Sequence, residues 1–167
     1  MAFKNDLSAD YIRSLLDYDP ETGIFRFRVR LGGRASIGKI AGCLDRKRYH
    51  RLKINGHLYN ASRVAWLHVT GEWPLRLIDH IDGDPSNTRF ANLRPATYTE
   101  NARNSRKTTR NTSGYKGVSY KKDRNKYAAH IRINGKLKHL GYSNTPEGAA
   151  KLYNDAAKEH FGDFVRT

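Results

Sequence analysis

The sequence predicts an α+β protein of two small domains, and three observations support this fold class. Strand-like runs are twice joined by an Asn-Gly pair, at Asn55-Gly56 and Asn134-Gly135, a dipeptide suited to tight antiparallel hairpins. Other segments repeat their apolar residues at helical spacing. Residues 101–113 contain Asn, Arg, Lys, Thr and Ser without a large apolar side chain, as a helix end and a linker would.

The first predicted element is a short amphipathic helix over residues 9–17, with Ser8 before it as a suitable N-cap. Its apolar positions recur at helical spacing: Tyr11, Ile12, Leu15 and Leu16. Asp19-Pro20 is expected to end this segment. A strand is then predicted over residues 24–29, where apolar and basic residues alternate.

A hairpin, a buried helix and a second hairpin are expected next. Strands over residues 49–54 and 57–60 flank the first Asn-Gly turn. The helix covers residues 62–70 and stops near Gly71. Residues 77–93 then predict a strand, a loop and a strand.

Three strands and one helix are predicted after the basic segment, over residues 115–120, 127–133 and 136–142 for the strands. Thr145 and Pro146 are suited to be the N-cap and the first residue of the helix. Its apolar stripe comprises Ala149, Ala150, Tyr153, Ala156, Ala157 and Phe161. We therefore expect domains over residues 1–105 and 114–167, joined by a basic linker over 106–113.

The charge of the chain points to a polyanionic partner. Lys and Arg number 31 against 16 Asp and Glu, which gives a net charge of +15. Nucleic acid is favoured over a membrane surface, because the basic residues lie among strand and turn signals rather than along one amphipathic helix. The lone Cys43 excludes an internal disulfide framework and a cysteine zinc cluster. With no long apolar run at either end, we expect neither a signal peptide nor a membrane span, and a soluble intracellular protein.

Residues 77–104 combine a polar hairpin with a capped helix. Thr97 and Glu100 have the spacing of a capping box, which places Asn101 on the first turns of that helix. Asp79 and Asn101 offer hard oxygen donors that suit Mg²⁺, or another divalent ion such as Mn²⁺. His80 can accept a proton near neutral pH.

The pattern Asp79-His80, Asn92 and Asn101 resembles the HNH endonucleases, in particular the phage and intron-encoded homing enzymes with asparagine in the third position. The resemblance extends over about residues 7–104. It includes the segments Leu16–Gly23 and Arg63–Pro74, although Ser62 stands where many relatives have histidine.

The resemblance implies a ββα-metal nuclease domain, with a role for each motif residue. Asp79 and Asn101 would bind the metal, His80 would activate the attacking water, and Asn92 would hold the hairpin loop and so aim His80. Hydrolysis would leave 5′-phosphate and 3′-hydroxyl ends. The expected location is the cytoplasm of a bacterial host cell. Arg89 and Arg94 either contact phosphates or are solvated, and Asn87 is interpreted as a turn residue.

The segment after the linker resembles the Apetala-two domain of plant ethylene-response factors, over roughly residues 114–164. In that family a three-stranded sheet lies in the DNA major groove, with the helix packed behind it. The implied DNA-facing residues are Lys116, Ser119, Lys121, His130, Arg132, Lys138 and His139. Ser119 and His139 replace a usual arginine and a usual tryptophan, so the sequence specificity of the plant proteins does not transfer. The alternative is a solvated basic face.

Together these features predict a metal-dependent endonuclease of the HNH homing type that acts on double-stranded DNA and needs no membrane. The main alternative is a non-catalytic DNA-binding regulator that retains a decayed nuclease fold. A basic RNA-binding protein would account for the charge but not for the metal-ligand pattern.

Overall fold

A computed structural model describes residues 4–32, 35–104 and 111–164 of the chain. The chain divides into two compact units, Met1–Tyr98 and Thr99–Thr167. Both combine helices with small antiparallel sheets, which confirms the predicted α+β class. The predicted linker lies mostly outside the described residues.

The first unit has two helices, α1 (Ala9–Leu15) and α2 (Ala61–Thr70). The Ser8 side chain accepts a hydrogen bond from the Tyr11 N–H at 3.2 Å, as predicted for an N-cap. Gly71 ends α2 in the left-handed conformation, with φ of 84°. The first helix is shorter than predicted, because the residues from Leu16 onward form a strand instead.

The described part of the first unit contains three antiparallel sheets of short strands. One pairs β1 (Leu16–Asp19) with β2 (Ile24–Phe27). The second contains β3 (Cys43–Leu44), β4 (His50–Ile54) and β5 (His57–Asn60) in that order. The third pairs β6 (Leu77–His80) with β7 (Leu93–Ala96). Asn55 and Gly56 both have positive φ, 49° and 80°, as the predicted tight hairpin requires.

One apolar core joins these elements. Its largest fully buried side chains come from α1, the three-stranded sheet, the first hairpin and α2: Phe25, Ile12, Leu16, Leu52, Ile54, Leu67 and Val64. Leu93, the first residue of β7, belongs to the same cluster. The hairpin β6–β7 is therefore fixed to the core through its second strand.

The second unit holds most of α3 (Tyr98–Asn104), which begins directly after Thr97 as predicted. Its sheet contains β8 (Val118–Lys121), β9 (Lys126–Ile133) and β10 (Lys136–Ser143), with β9 in the centre. Helix α4 (Pro146–Phe161) begins as predicted, since the Thr145 side chain accepts a hydrogen bond from the Gly148 N–H at 3.1 Å. Within the described ranges, no helix is long and apolar enough to cross a membrane.

The two faces of β9 differ, as its alternating sequence predicts. Ala129 and Ile131 are buried in clusters that include Ala149 and Tyr153 of α4. His130 and Arg132 point to the opposite face. In the described part of the second unit, α4 therefore packs against one face of the three-stranded sheet, and the opposite face is called the open face.

Candidate active site and basic surface

Asp79 and His80 are the last two residues of β6, and both are buried, at 4% and 7% exposure. They pair across the hairpin with Arg94 and Leu93 of β7. Since adjacent strand residues point to opposite faces, the carboxylate and the imidazole leave the strand in different directions. The structure therefore holds the two predicted site residues side by side in rigid backbone, with distinct surroundings.

Asp79 forms a buried ion pair with Arg94. The Arg94 Nε and Nη2 atoms lie 3.0 and 2.9 Å from the same oxygen, Oδ2 of Asp79. The Arg94 side chain is only 14% exposed. Arg94 is therefore not the solvated residue of one of the two interpretations that the sequence left open, and a phosphate contact by Arg94 stays a prediction.

Asn92 connects the two ends of the loop that follows His80. Its side-chain oxygen accepts from the Asp82 N–H at 3.0 Å, and its side-chain nitrogen donates to Asp82 Oδ1 at 3.0 Å and to the Asn87 carbonyl at 2.9 Å. Its own carbonyl accepts from the Ile81 N–H at 2.9 Å. These bonds fix the backbone directly after His80. Asn87 has the expected turn role, since it donates to Asp82 Oδ2 at 2.6 Å.

The hairpin β1–β2 holds the far end of this loop. The Tyr18 hydroxyl donates to the Thr88 carbonyl at 2.6 Å, and the Thr88 hydroxyl donates to the Gly23 carbonyl at 2.7 Å. Gly23 has φ of 74°, and a Cβ there would lie 2.5 Å from the Arg89 nitrogen. Only glycine therefore lets the two segments approach this closely. The segment that resembled HNH proteins near Asp19-Pro20 thus supports the loop from outside.

Arg63 supports the segment that leads into β6. Its guanidinium donates to the carbonyls of Arg76 at 2.8 Å and Pro74 at 3.0 Å. Burial lowers the pKa of Arg63, a cost that such charge-assisted bonds offset. Arg63 thus helps to position the strand that ends at His80.

The surroundings of His80 favour a neutral imidazole. Burial lowers its pKa, while the carboxylates of Asp82, Asp79 and Asp84 act in the opposite direction and only partly compensate. The ring of Tyr49 packs edge-on against it, with ring centroids 6.3 Å apart. A neutral imidazole near neutral pH can accept a proton.

The expected metal donors are one carboxylate and one amide. Asp79 is in the first unit, whereas Asn101 is an exposed residue of α3, three positions after the last residue of that unit. Among the residues that the structure describes, no three His, Cys, Asp or Glu side chains converge. The oxygen donors fit a hard ion such as Mg²⁺, which takes one or two carboxylates and keeps several waters.

The open face of the sheet β8–β10 in the second unit is basic. Residues that pair directly across antiparallel strands share a face, so the register identifies its members. Ser119, Lys121, His130, Arg132 and His139, all predicted to face DNA, lie on this face together with Lys126, Leu137 and Tyr142. The structure therefore brings five of the predicted binding residues together.

Three other predicted binding residues lie elsewhere. Lys138 pairs with Ile131 and therefore shares the face of α4. The Lys116 ammonium donates to the Arg103 carbonyl at the end of α3. Arg89 is an exposed residue of the loop between β6 and β7, in the first unit. The open sheet face thus includes neither Lys138 nor Lys116.

Aromatic rings form a row on this open face. His130 and His139 lie opposite each other with ring centroids 4.9 Å apart, and His139 and Tyr142 are separated by 4.4 Å. The Arg124 guanidinium lies 5.0 Å from the Tyr142 ring centroid. Burial, His139 and Lys121 lower the pKa of His130. The face therefore combines cations with rings, a surface suited to nucleic acid.

Two residues of the site were missed by the sequence analysis. The role of Arg94 could have been found from the strand register: if His80 and Leu93 pair as the residues at the ends of the loop, the next pair is Asp79 and Arg94. Tyr49 gave no comparable signal, since it precedes β4, lies 31 positions before His80 in the sequence and meets it only in the folded unit.

Comparison with known proteins gives a family match over part of the chain. A family model described as HNH endonuclease matches residues 59–103. This range includes Asp79, His80, Asn92 and Asn101 and ends before the sheet of the second unit.

Two curated proteins are similar in sequence. Protein 3.8 of Escherichia phage T7 is 37% identical over 89 residues, which are 53% of this chain and 73% of the phage protein. The uncharacterized HNH endonuclease L560 of Acanthamoeba polyphaga mimivirus is 37% identical over 103 residues, 61% of this chain and 52% of that protein. The chain thus aligns with about half of the mimivirus protein.

A solved structure described as DNA binding and cleavage by the HNH homing endonuclease I-HmuI also matches. Its TM-score is 0.44 at 17% identity, over 97% of this chain and 84% of that chain.

Proposed function

We propose, since the chain belongs to the HNH endonuclease family, that it hydrolyses phosphodiester bonds of double-stranded DNA with the help of a divalent metal ion. The observation that carries the proposal is the pair of buried residues at the end of β6, Asp79 and His80, followed by a loop fixed by Asn92. This arrangement provides an anionic oxygen donor next to a neutral proton acceptor.

His80 is the proposed general base. Its imidazole would take a proton from the water that attacks the phosphorus in line with the leaving 3′-oxygen. The products would carry 5′-phosphate and 3′-hydroxyl ends. Asn92 would act indirectly, because the loop that it holds begins at the residue after His80.

Asp79 and Asn101 are the proposed ligands of Mg²⁺ or Mn²⁺, and for Asn101 the proposal rests on the sequence resemblance. When bound, the ion would supply positive charge that stabilises the phosphate and the departing oxygen. Arg94 contacts Oδ2 of Asp79. Its cation keeps the carboxylate oriented and its charge balanced within the buried hairpin.

The open face of the sheet β8–β10 is the proposed DNA-binding surface outside the active site. Lys121 and Lys126 lie directly opposite each other, an arrangement that destabilises an isolated sheet. A phosphate backbone would relieve this repulsion and release counterions. An Apetala-two type of major-groove binding by this face, with Arg132 and His130 near base edges, is the more detailed form of the proposal.

One observation favours a second function, a DNA-binding protein without nuclease activity. The ion pair with Arg94 already satisfies an oxygen of Asp79, as it would in a site that no longer binds metal. Cleavage assays separate the two functions.

The test uses supercoiled plasmid and genomic fragments incubated with the protein in Mg²⁺, in Mn²⁺ and in excess chelator. We expect metal-dependent cuts whose ends are ligatable, as 5′-phosphate and 3′-hydroxyl ends are. Asp79→Asn should lose metal-dependent cleavage more severely than Asn101→Ala, because the carboxylate contributes charge and the amide only a dipole. Binding without any cutting would support the second function, and wild-type metal activation in both variants would remove these residues from the site.

A further inference from the structure

We propose that the turn Asp45–Tyr49, between β3 and β4, binds the DNA phosphate backbone beside the bond that is cut. This inference rests on the proposed endonuclease function and adds a binding element to it. The turn belongs to the first unit, as do Asp79 and His80.

Asp45 builds the turn. Its Oδ1 atom accepts from the N–H groups of Lys47 and Tyr49, both at 2.9 Å. Its backbone carbonyl accepts from the Arg48 N–H, and its own N–H donates to the Tyr49 carbonyl, again at 2.9 Å. Four hydrogen bonds to one residue make this a preformed turn, so that little ordering is needed when it binds.

Three consecutive cations occupy the turn: Arg46, Lys47 and Arg48, all exposed. The ion pairs found among the described residues use none of them. Arg48 adopts φ of 65°, a conformation that favours glycine or asparagine. An arginine at a position where its backbone conformation is unfavourable indicates that the positive charge itself is useful there.

The turn contacts His80 through Tyr49, its last residue. The Arg51 Nε atom donates to Asp45 Oδ2 at 2.9 Å, and the Arg51 guanidinium lies 5.6 Å from the Tyr49 ring centroid. Tyr49 in turn packs against the His80 ring, 6.3 Å between centroids. The basic turn is thus held next to the proposed general base.

This location determines the ligand. Phosphates follow each other about every 3.4 Å along the axis of each DNA strand, so cations beside the active site would meet phosphates that flank the scissile one. Backbone contacts of this kind position DNA without reading its sequence. The turn would therefore fix the register of the strand relative to His80.

The variant Arg46→Gln/Lys47→Gln removes two charges and leaves Arg48 and the hydrogen bonds of Asp45 in place. A matched control, Lys151→Gln/Lys158→Gln, removes two exposed charges from α4. The DNA affinity of the chain is measured against salt without divalent metal, on a duplex that carries a mapped cut site. The turn variant should flatten the slope of log affinity against log salt by roughly 1.8, about 0.9 for each lost contact, and the control should not.

Phosphate ethylation interference on the same duplex tests the location. Some phosphates should weaken binding of the wild type when they are ethylated, but should no longer affect binding of the turn variant. We expect these phosphates within about three nucleotides of the cut, which is about 10 Å along the DNA axis. An unchanged salt slope in the turn variant would overturn the proposal, and so would lost contacts that map far from the cut or appear equally in the control.

Failure of the proposed function gives a different result. If the wild type binds duplex DNA without cutting any substrate, the endonuclease proposal fails, and with it the claim that the turn lies beside a cut. If the wild type cuts and the turn variant keeps its salt slope, only the turn proposal fails.

Discussion

At the scale of single residues, the contact between Asp79 and Arg94 couples the stability of the hairpin to its proposed role in catalysis. A buried carboxylate without a cation would be costly, and so would a buried guanidinium without a carboxylate. A substitution of either residue therefore changes both the folding of the hairpin and its chemistry. Loss of activity in a single variant of Asp79 is not sufficient to assign it as a metal ligand.

Arg94→Met separates the two effects, because it removes one partner of the ion pair and leaves the other buried. We expect the free energy of unfolding to fall by about 3–5 kcal/mol. Asp79→Leu/Arg94→Met should recover much of that loss, since both charges are gone, but should not cut DNA. Denaturant titration followed by tryptophan fluorescence is suitable, because Trp66 and Trp73 both lie in the first unit. A double variant that still cuts DNA would show that Asp79 has no role in the reaction.

At the scale of elements, the hairpin β1–β2 acts as an outer support for the loop at the site. The first two residues of its strand β1, Leu16 and Asp17, were predicted as the end of α1, because Leu16 continues the apolar spacing of that helix. The hydrogen bond from Tyr18 to Thr88 is a contact between residues 70 positions apart, which periodicity within a segment does not reveal.

The central strand β9 should give DNA binding a pH dependence through His130. Burial, His139 and Lys121 lower its pKa from 6.5, so the imidazole of the free protein is neutral at neutral pH. A bound phosphate favours the protonated form and raises that pKa, so binding takes up a proton and affinity increases as the pH falls. The gain is about tenfold for each pKa unit by which DNA shifts the group.

The measurement compares duplex affinity at pH 8 and pH 5.5 for the wild type, for His130→Gln and for the exposed control His160→Gln. We expect the gain at low pH to shrink only in His130→Gln. An identical gain in all three proteins would mean that His130 does not face the DNA backbone.

At the scale of the whole molecule, the chain has two compact units and a charge of +15. The predicted domain boundary near residue 105 remains a proposal. The division of the chain into compact units falls between Tyr98 and Thr99, so most of α3 belongs to the second unit. A truncation after Arg106 would therefore remove the sheet and α4 that belong to the same unit as α3. Substitutions on the open sheet face test its role in DNA binding without that loss.

The sequence predicted the elements well where local chemistry determines them. The Asn-Gly turns, the caps at Ser8 and Thr145 and the strand alternation of β9 all appear as expected. Prediction was weaker where strand register decides. Lys138 and His139 were both predicted to be on or beside the DNA-facing sheet positions, although neighbouring strand residues alternate, and only His139 lies on the open face.

The most direct test of the central claim is single-turnover cleavage of one duplex by the wild type and His80→Ala in saturating Mg²⁺. The exposed control is His57→Ala, also in the first unit. We predict that cleavage by His80→Ala is slower by about 10²–10⁴-fold, the usual contribution of a general base, while DNA affinity stays the same and His57→Ala behaves as the wild type. Cleavage by His80→Ala at the wild-type rate would contradict the assignment of this hairpin as the active site.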